Sequence, residues 1–72
     1  MGEAERLVVG DRAINLTQVL KLAGWAEHGA QAKAWIAEGR VRVNGEVETR
    51  KRRQMALGDA VQLEGGPTLI LA

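Results

Sequence analysis

The chain has no cysteine, no phenylalanine and no tyrosine, with a single proline and a single histidine among its 72 residues. Without cysteine there is no disulfide, no thiolate nucleophile and no zinc site built on sulfur, so the packed core alone must hold the fold. Without Phe or Tyr, Trp25 and Trp35 are the whole aromatic complement. Single-strand readers of nucleic acid stack bases on aromatic platforms. Both tryptophans fall at apolar positions expected in the core, so base stacking is not the expected mode of contact. Long apolar runs are also missing. None approaches the roughly 18 residues of a membrane-spanning helix, and no signal-peptide pattern is present. Met1-Gly2 is not followed by the Ser or Thr that myristoylation requires, because position six is Arg6. The expectation is a soluble, cytoplasmic protein without a membrane partner.

Catalytic groups are equally scarce. His28 stands alone, and a metal site would need two or three further ligands beside it. Thr17, Thr49 and Thr68 are the only hydroxyl nucleophile candidates, and none has a base placed by a motif. Glu46 and Glu48 resemble paired carboxylates, but their alternation with Val47 suits an exposed strand, with Arg42 as a partner across a hairpin. Gly65-Gly66 lacks the lysine and the following helix of a phosphate loop. No enzyme, no cofactor and no small-molecule substrate are expected.

What is present is an uneven charge. The formal net charge is only +1. Residues 40–53 nevertheless hold six cations (Arg40, Arg42, Arg50, Lys51, Arg52 and Arg53) against two carboxylates, a local net of +4. The remaining four cations face seven acids, a net of −3. Such asymmetry suggests a polyanionic partner, although a basic run is as often a solvated turn.

Periodicity supplies the architecture. Arg6 to Val9 reads as a short strand. Leu16, Val19, Leu20 and Ala23 share one helical face, with Asn15 as N-cap, Gln18 completing a capping box, and Gly24 at the left-handed stop. GWAEHG links this helix to a second over about 30–38, with Ala32, Trp35 and Ile36 on one face and Gly39 ending it. Val41 and Val43 then alternate with Arg40 and Arg42. Asn44-Gly45 is the strongest short hairpin signal, since a type I′ turn needs positive φ at both central residues. Glu46 to Glu48 returns. Residues 49–56 show no period, Leu57-Gly58-Asp59 turns, Ala60 to Glu64 alternates, Gly65-Gly66-Pro67 turns, and Thr68 to Leu71 is a last strand, left as an exposed edge. The order predicts an α+β fold: two short helices packed on a small antiparallel sheet of four to five strands. At this length one domain is expected, 1–72, with its core motif at about 14–64.

For the charge, the start of helix 2 matters. Gly29, Ala30 and Gln31 would carry unpaired backbone N–H groups, a ready anion site. Lys33 lies half a turn on, and the strand with Arg40 and Arg42 follows. These pieces and Arg50–Arg53 are expected to form one continuous basic wall that meets phosphates, which suits folded RNA. A basic face meeting an acidic protein is the alternative. DNA is disfavoured, because Gln31 and Lys33 are too few polar readers for a major groove.

Residues 16–61 also resemble a known family. L-x-x-x-L-K at Leu16–Lys21, then G-x-x-A-K at Gly29–Lys33, then G-R-V-R-V-N-G at Gly39–Gly45, Glu48-Thr49-Arg50 and Gly58-Asp59 occur in order. Together they are similar to the S4-like RNA-binding domain, the alpha-L motif, and to its small stand-alone YbcJ-like branch. The resemblance implies two helices on a small sheet and binding of structured RNA, ribosomal or tRNA-like, or of the ribosome itself. Position by position it implies contacts at His28, Gly29, Gln31, Lys33, Arg42, Asn44 and Arg50, with Lys51, Arg52 and Arg53 adding charge. Larger relatives carry Ser-Arg where this chain has His28-Gly29, and often a second basic residue where it has Ala37. That moves the expected weight to the Arg50–Arg53 run.

Overall fold

The computed structural model describes residues 5–72; residues 1–4, including the Met1-Gly2 start, lie outside the described residues. Along the chain run β1 (Glu5–Leu7), β2 (Ile14–Asn15), α1 (Leu16–Leu22), α2 (Gly29–Ala37), β3 (Val41–Val43), β4 (Glu46–Val47), β5 (Gln54–Met55), β6 (Ala60–Leu63) and β7 (Thr68–Leu71). Five strands form one sheet in the order β1-β7-β6-β3-β4, and β2 pairs with β5 in a separate two-stranded sheet. The class is α+β, as the order of helical and strand periods, helices early and most strands late, predicts.

Local signals translate directly. Asn15 caps α1: its side chain accepts from the Gln18 N–H at 2.9 Å, and the Gln18 Oε1 accepts from the Asn15 N–H at 2.8 Å. Gly24, with φ +77°, follows the C-cap Ala23. α2 begins and ends one residue earlier than its apolar face predicts. It closes in a Schellman motif: the Arg40 N–H donates to the Trp35 carbonyl at 3.0 Å and the Gly39 N–H to Ile36 at 3.1 Å. Asn44 (φ +53°) and Gly45 (φ +86°) both adopt positive φ, and Val43 pairs with Glu46. This is the two-residue hairpin that the Asn-Gly pair specifies.

One hydrophobic cluster joins helices and sheet. Leu16, Val19 and Leu20 of α1 and Ala32 and Ile36 of α2 pack against Val41, Val61, Leu69 and Leu71. Each fully buried Leu, Ile or Val in this set contributes about 1.5–3 kcal/mol. Trp25 and Trp35 pack against the cluster while half-buried, in keeping with a core role.

Four expectations change. β1 is the short segment Glu5–Leu7; Val8 leaves it and is exposed. It pairs parallel with β7 while the other pairings in that sheet are antiparallel, so the sheet is mixed. β7 is consequently interior, between β1 and β6, and not the exposed edge that its place near the chain end suggests. The segment 49–56, without period, contains β5. Two-residue strands such as β2 and β5 are too short for alternation to register, and only their mutual pairing defines them.

Candidate nucleic-acid interface

The two helix starts solve the same problem in opposite ways. An α-helix leaves its first N–H groups without intrahelical acceptors. At α1 the chain itself supplies them. The Leu16 N–H donates to the Arg53 carbonyl (3.0 Å), the Thr17 N–H to the Lys51 carbonyl (3.3 Å), and the Gln18 N–H to the Asn15 side chain. The buried Thr17 Oγ1 also donates to the Lys51 carbonyl at 2.7 Å. At α2, His28 is the N-cap but its side chain makes no cap hydrogen bond. Among the described residues nothing accepts from the N–H groups of Gly29, Ala30 or Gln31. Gln31 instead reaches back, its Oε1 accepting from the Glu27 N–H at 2.8 Å. That fixes the approach to the helix and leaves its first amides open.

The basic run is partly spent on structure. Arg50 donates through Nε and a terminal nitrogen to the two Glu48 oxygens, each at 2.9 Å. The Arg53 Nε pairs with Glu48 at 3.0 Å, and its Nη1 lies 3.3 Å from Asp59. These contacts correct the expected Glu48–Arg42 pair: Glu48 turns toward the arginines that follow it. Hydrogen bonding from Arg50 is the main cause that holds the Glu48 carboxyl down at about 2. Burial alone would raise Asp59, but hydrogen bonds from the Ala56 N–H, Asn44 and Arg53 outweigh it and hold Asp59 below its usual range. Lys51 and Arg52 are exposed and form no ion pair among the described residues.

The hairpin is divided by strand alternation. Val41 and Val43 are buried in the core that holds the helices, so Arg42 stands on the opposite sheet face. There the Arg42 Nη1 donates to the Gly45 carbonyl at 3.3 Å. Asn44 is committed: its Nδ2 donates to Asp59 (3.1 Å) and its Oδ1 accepts from the Ala60 N–H (3.0 Å). Arg40 forms an exposed pair with Glu38 at 2.8 Å. The expected continuous wall is therefore split. His28, Gly29, Gln31 and Lys33 gather on the helical side, with the Arg50–Arg53 backbone at the far end of α1, while Arg42 belongs to the other side of the sheet.

The expected contact residues left out Arg12 and Lys21, both counted within the acidic remainder. The Lys21 stem approaches the start of α2, its Cδ lying 4.0 Å from where a Gly29 Cβ would sit. Both side chains line one depression beside α1. The short GWAEHG link was a usable signal for Lys21, because it returns the start of α2 to the end of α1. No cluster of three or more His, Asp or Glu able to hold a metal occurs among the described residues.

Against known proteins, the S4 domain family model matches residues 7–71. The chain is 49% identical over 59 residues to the Escherichia coli protein named "Putative RNA-binding protein YbcJ", covering 82% of this chain and 84% of that one. It is 37% identical over 62 residues to the Bacillus subtilis protein named "Probable ribosome maturation protein RlbA", covering 86% and 87%. The solution structure of E. coli YbcJ, described as revealing an AlfaL motif involved in RNA binding, superimposes with a TM-score of 0.68 at 40% identity, covering 97% of this chain and 91% of that one. The chain belongs to the S4 domain family.

Proposed function

We propose that this chain is a non-enzymatic RNA-binding module, a single S4-type domain that works in the cytoplasm on folded RNA. Ribosomal RNA, within the ribosome or an assembling subunit, is the foremost candidate. The observation that carries this reading is the likeness in sequence and fold, over nearly the whole chain, to YbcJ with its RNA-binding motif. The name of the B. subtilis relative supports the ribosomal choice.

Contact is made by phosphates and shape. The open N–H groups of Gly29 to Gln31 and the Lys33 ammonium receive phosphates. His28 flanks them. Lys51 and Arg52 add unpaired charge, while Arg50 and Arg53 act with Glu48 still attached. Arg40 and Arg42 reach backbone that wraps the sheet edge, and Asn44 acts through the shape of the hairpin it holds. No helix among the described residues is long and apolar enough to cross a membrane.

The test is a fluorescence-anisotropy titration of a labelled ribosomal RNA fragment across several salt concentrations, with a DNA duplex of equal charge as competitor. Binding should weaken with salt at a slope of roughly −0.7 to −0.9 per neutralised phosphate, and the duplex should fail to displace the RNA. Reversing Lys33, Lys51 and Arg52 together to Glu should abolish binding and leave the fold intact. These three serve better than Arg50, whose reversal would place a carboxylate against Glu48. A slope near zero, or equal displacement by the duplex, would sink the proposal and turn the search to an acidic protein partner.

A further inference from the structure

Beside α1, facing the loop before β2, lies a depression of about 400 Å³ lined by Arg12, Ala13, Ile14, Gln18, Lys21 and Leu22. Its chemistry is not uniform. Arg12 and Lys21 are cations with no ion-pair partner among the described residues. The Arg12 Nε donates to the Val9 carbonyl at 3.1 Å, which holds that side chain in place and leaves its terminal nitrogens to serve as donors. The Gln18 Oε1 is engaged by the Asn15 N–H, so its amide NH₂ is the part left to donate. Ala13, Ile14 and Leu22 supply the apolar part, and Leu22 is a large apolar side chain left 49% exposed.

Two cations, one amide donor and an apolar floor match one unit of RNA that has left its helix. Phosphate answers the cations, an unstacked base covers the apolar floor, and the amide meets an acceptor on the base edge. A lone carboxylate or phosphate would use the cations and leave the floor uncovered. We infer that this depression seats a single unpaired nucleotide of the bound RNA, with Arg12 and Lys21 on its phosphates and its base against Leu22 and Ala13. The inference rests on the RNA reading above and extends it. Sequence-tolerant base contact, which the packing of both tryptophans against the core argues against elsewhere, is supplied here by an aliphatic floor. Lys21 also links this seat to the open start of α2, so the RNA backbone runs from one to the other.

The experiment compares two ribosomal RNA hairpins, one carrying a single unpaired adenosine and one with that nucleotide removed. The parent should prefer the bulged hairpin about fivefold, the scale of burying part of a leucine side chain. Leu22→Asn should erase that preference and leave the salt slope unchanged. Arg12→Gln with Lys21→Gln should make the slope shallower by about 1.4 to 1.8. Lys21→Gln alone, which breaks no side-chain hydrogen bond among the described residues, should account for about half of that. Equal affinity of the parent for both hairpins, or an unchanged slope in the double variant, overturns the seat while the RNA reading stands. Failure of the parent to bind either hairpin overturns both.

Discussion

The two helix starts have the same backbone requirement and different fates. α1 is sealed by Asn15, by Gln18 and by carbonyls from Lys51 and Arg53, more than 30 residues away. α2 begins at Gly29, after the N-cap His28, and nothing among the described residues accepts from its first amides. Sealing turns a helix end into a structural joint, and the basic run becomes the piece of chain that closes it. Leaving the end open keeps its partial positive charge for an anion. A cation-rich segment and an open helix start are therefore different features, although a count of charge along the sequence does not separate them.

The comparison can be broken most severely at the first helical residues. Leu16→Ala at α1 removes a fully buried side chain and should cost about 2–5 kcal/mol, read by urea denaturation. Gly29→Ala, its counterpart at α2, meets only the Lys21 stem at 4.0 Å. It should stabilise the fold by about 0.4–1 kcal/mol while weakening RNA affinity, because a methyl group then stands beside the open amides. Equal destabilisation by both changes would end the contrast.

A smaller effect separates the caps. Asn15→Ala should cost about 1 kcal/mol with RNA affinity unchanged for the protein that remains folded. His28→Ala should fall within about 0.5 kcal/mol of the parent, since the side chain caps nothing.

The seal at α1 also has a pH signature. Glu48 is held at about 2, below the usual 4.5 of a glutamate. A carboxyl depressed by folding contributes stability above its unfolded value, and that contribution is lost as pH falls. Thermal midpoints should therefore decline from about pH 4.5 toward pH 2. Glu48→Gln should flatten that decline and release Arg50. Parallel pH profiles for parent and variant would show that the Glu48–Arg50–Arg53 cluster contributes nothing to the joint.

Much of the architecture was legible because its signals are short-range. Asn15 with Gln18, Gly39 and Asn44-Gly45 act within four residues, so the sequence alone determined the start of α1, the stop of α2 to within a residue, and the type and register of the hairpin. The family pattern at residues 16–61 was legible for the same reason: its pieces mark these local turns and caps. Tertiary structure decided the rest. The β2–β5 pair, the parallel seating of β1 on β7 and the closure of α1 by Lys51 and Arg53 join segments distant along the chain, and no local period announces them. Which cations remain free was decided in the same way. Arg53 is drawn to Asp59 once β5 and β6 are placed, and Arg12 and Lys21 come to line one depression only when the loop before β2 is held against α1. Charge can be counted along a sequence, but its availability depends on partners, and only the folded chain brings those partners within reach.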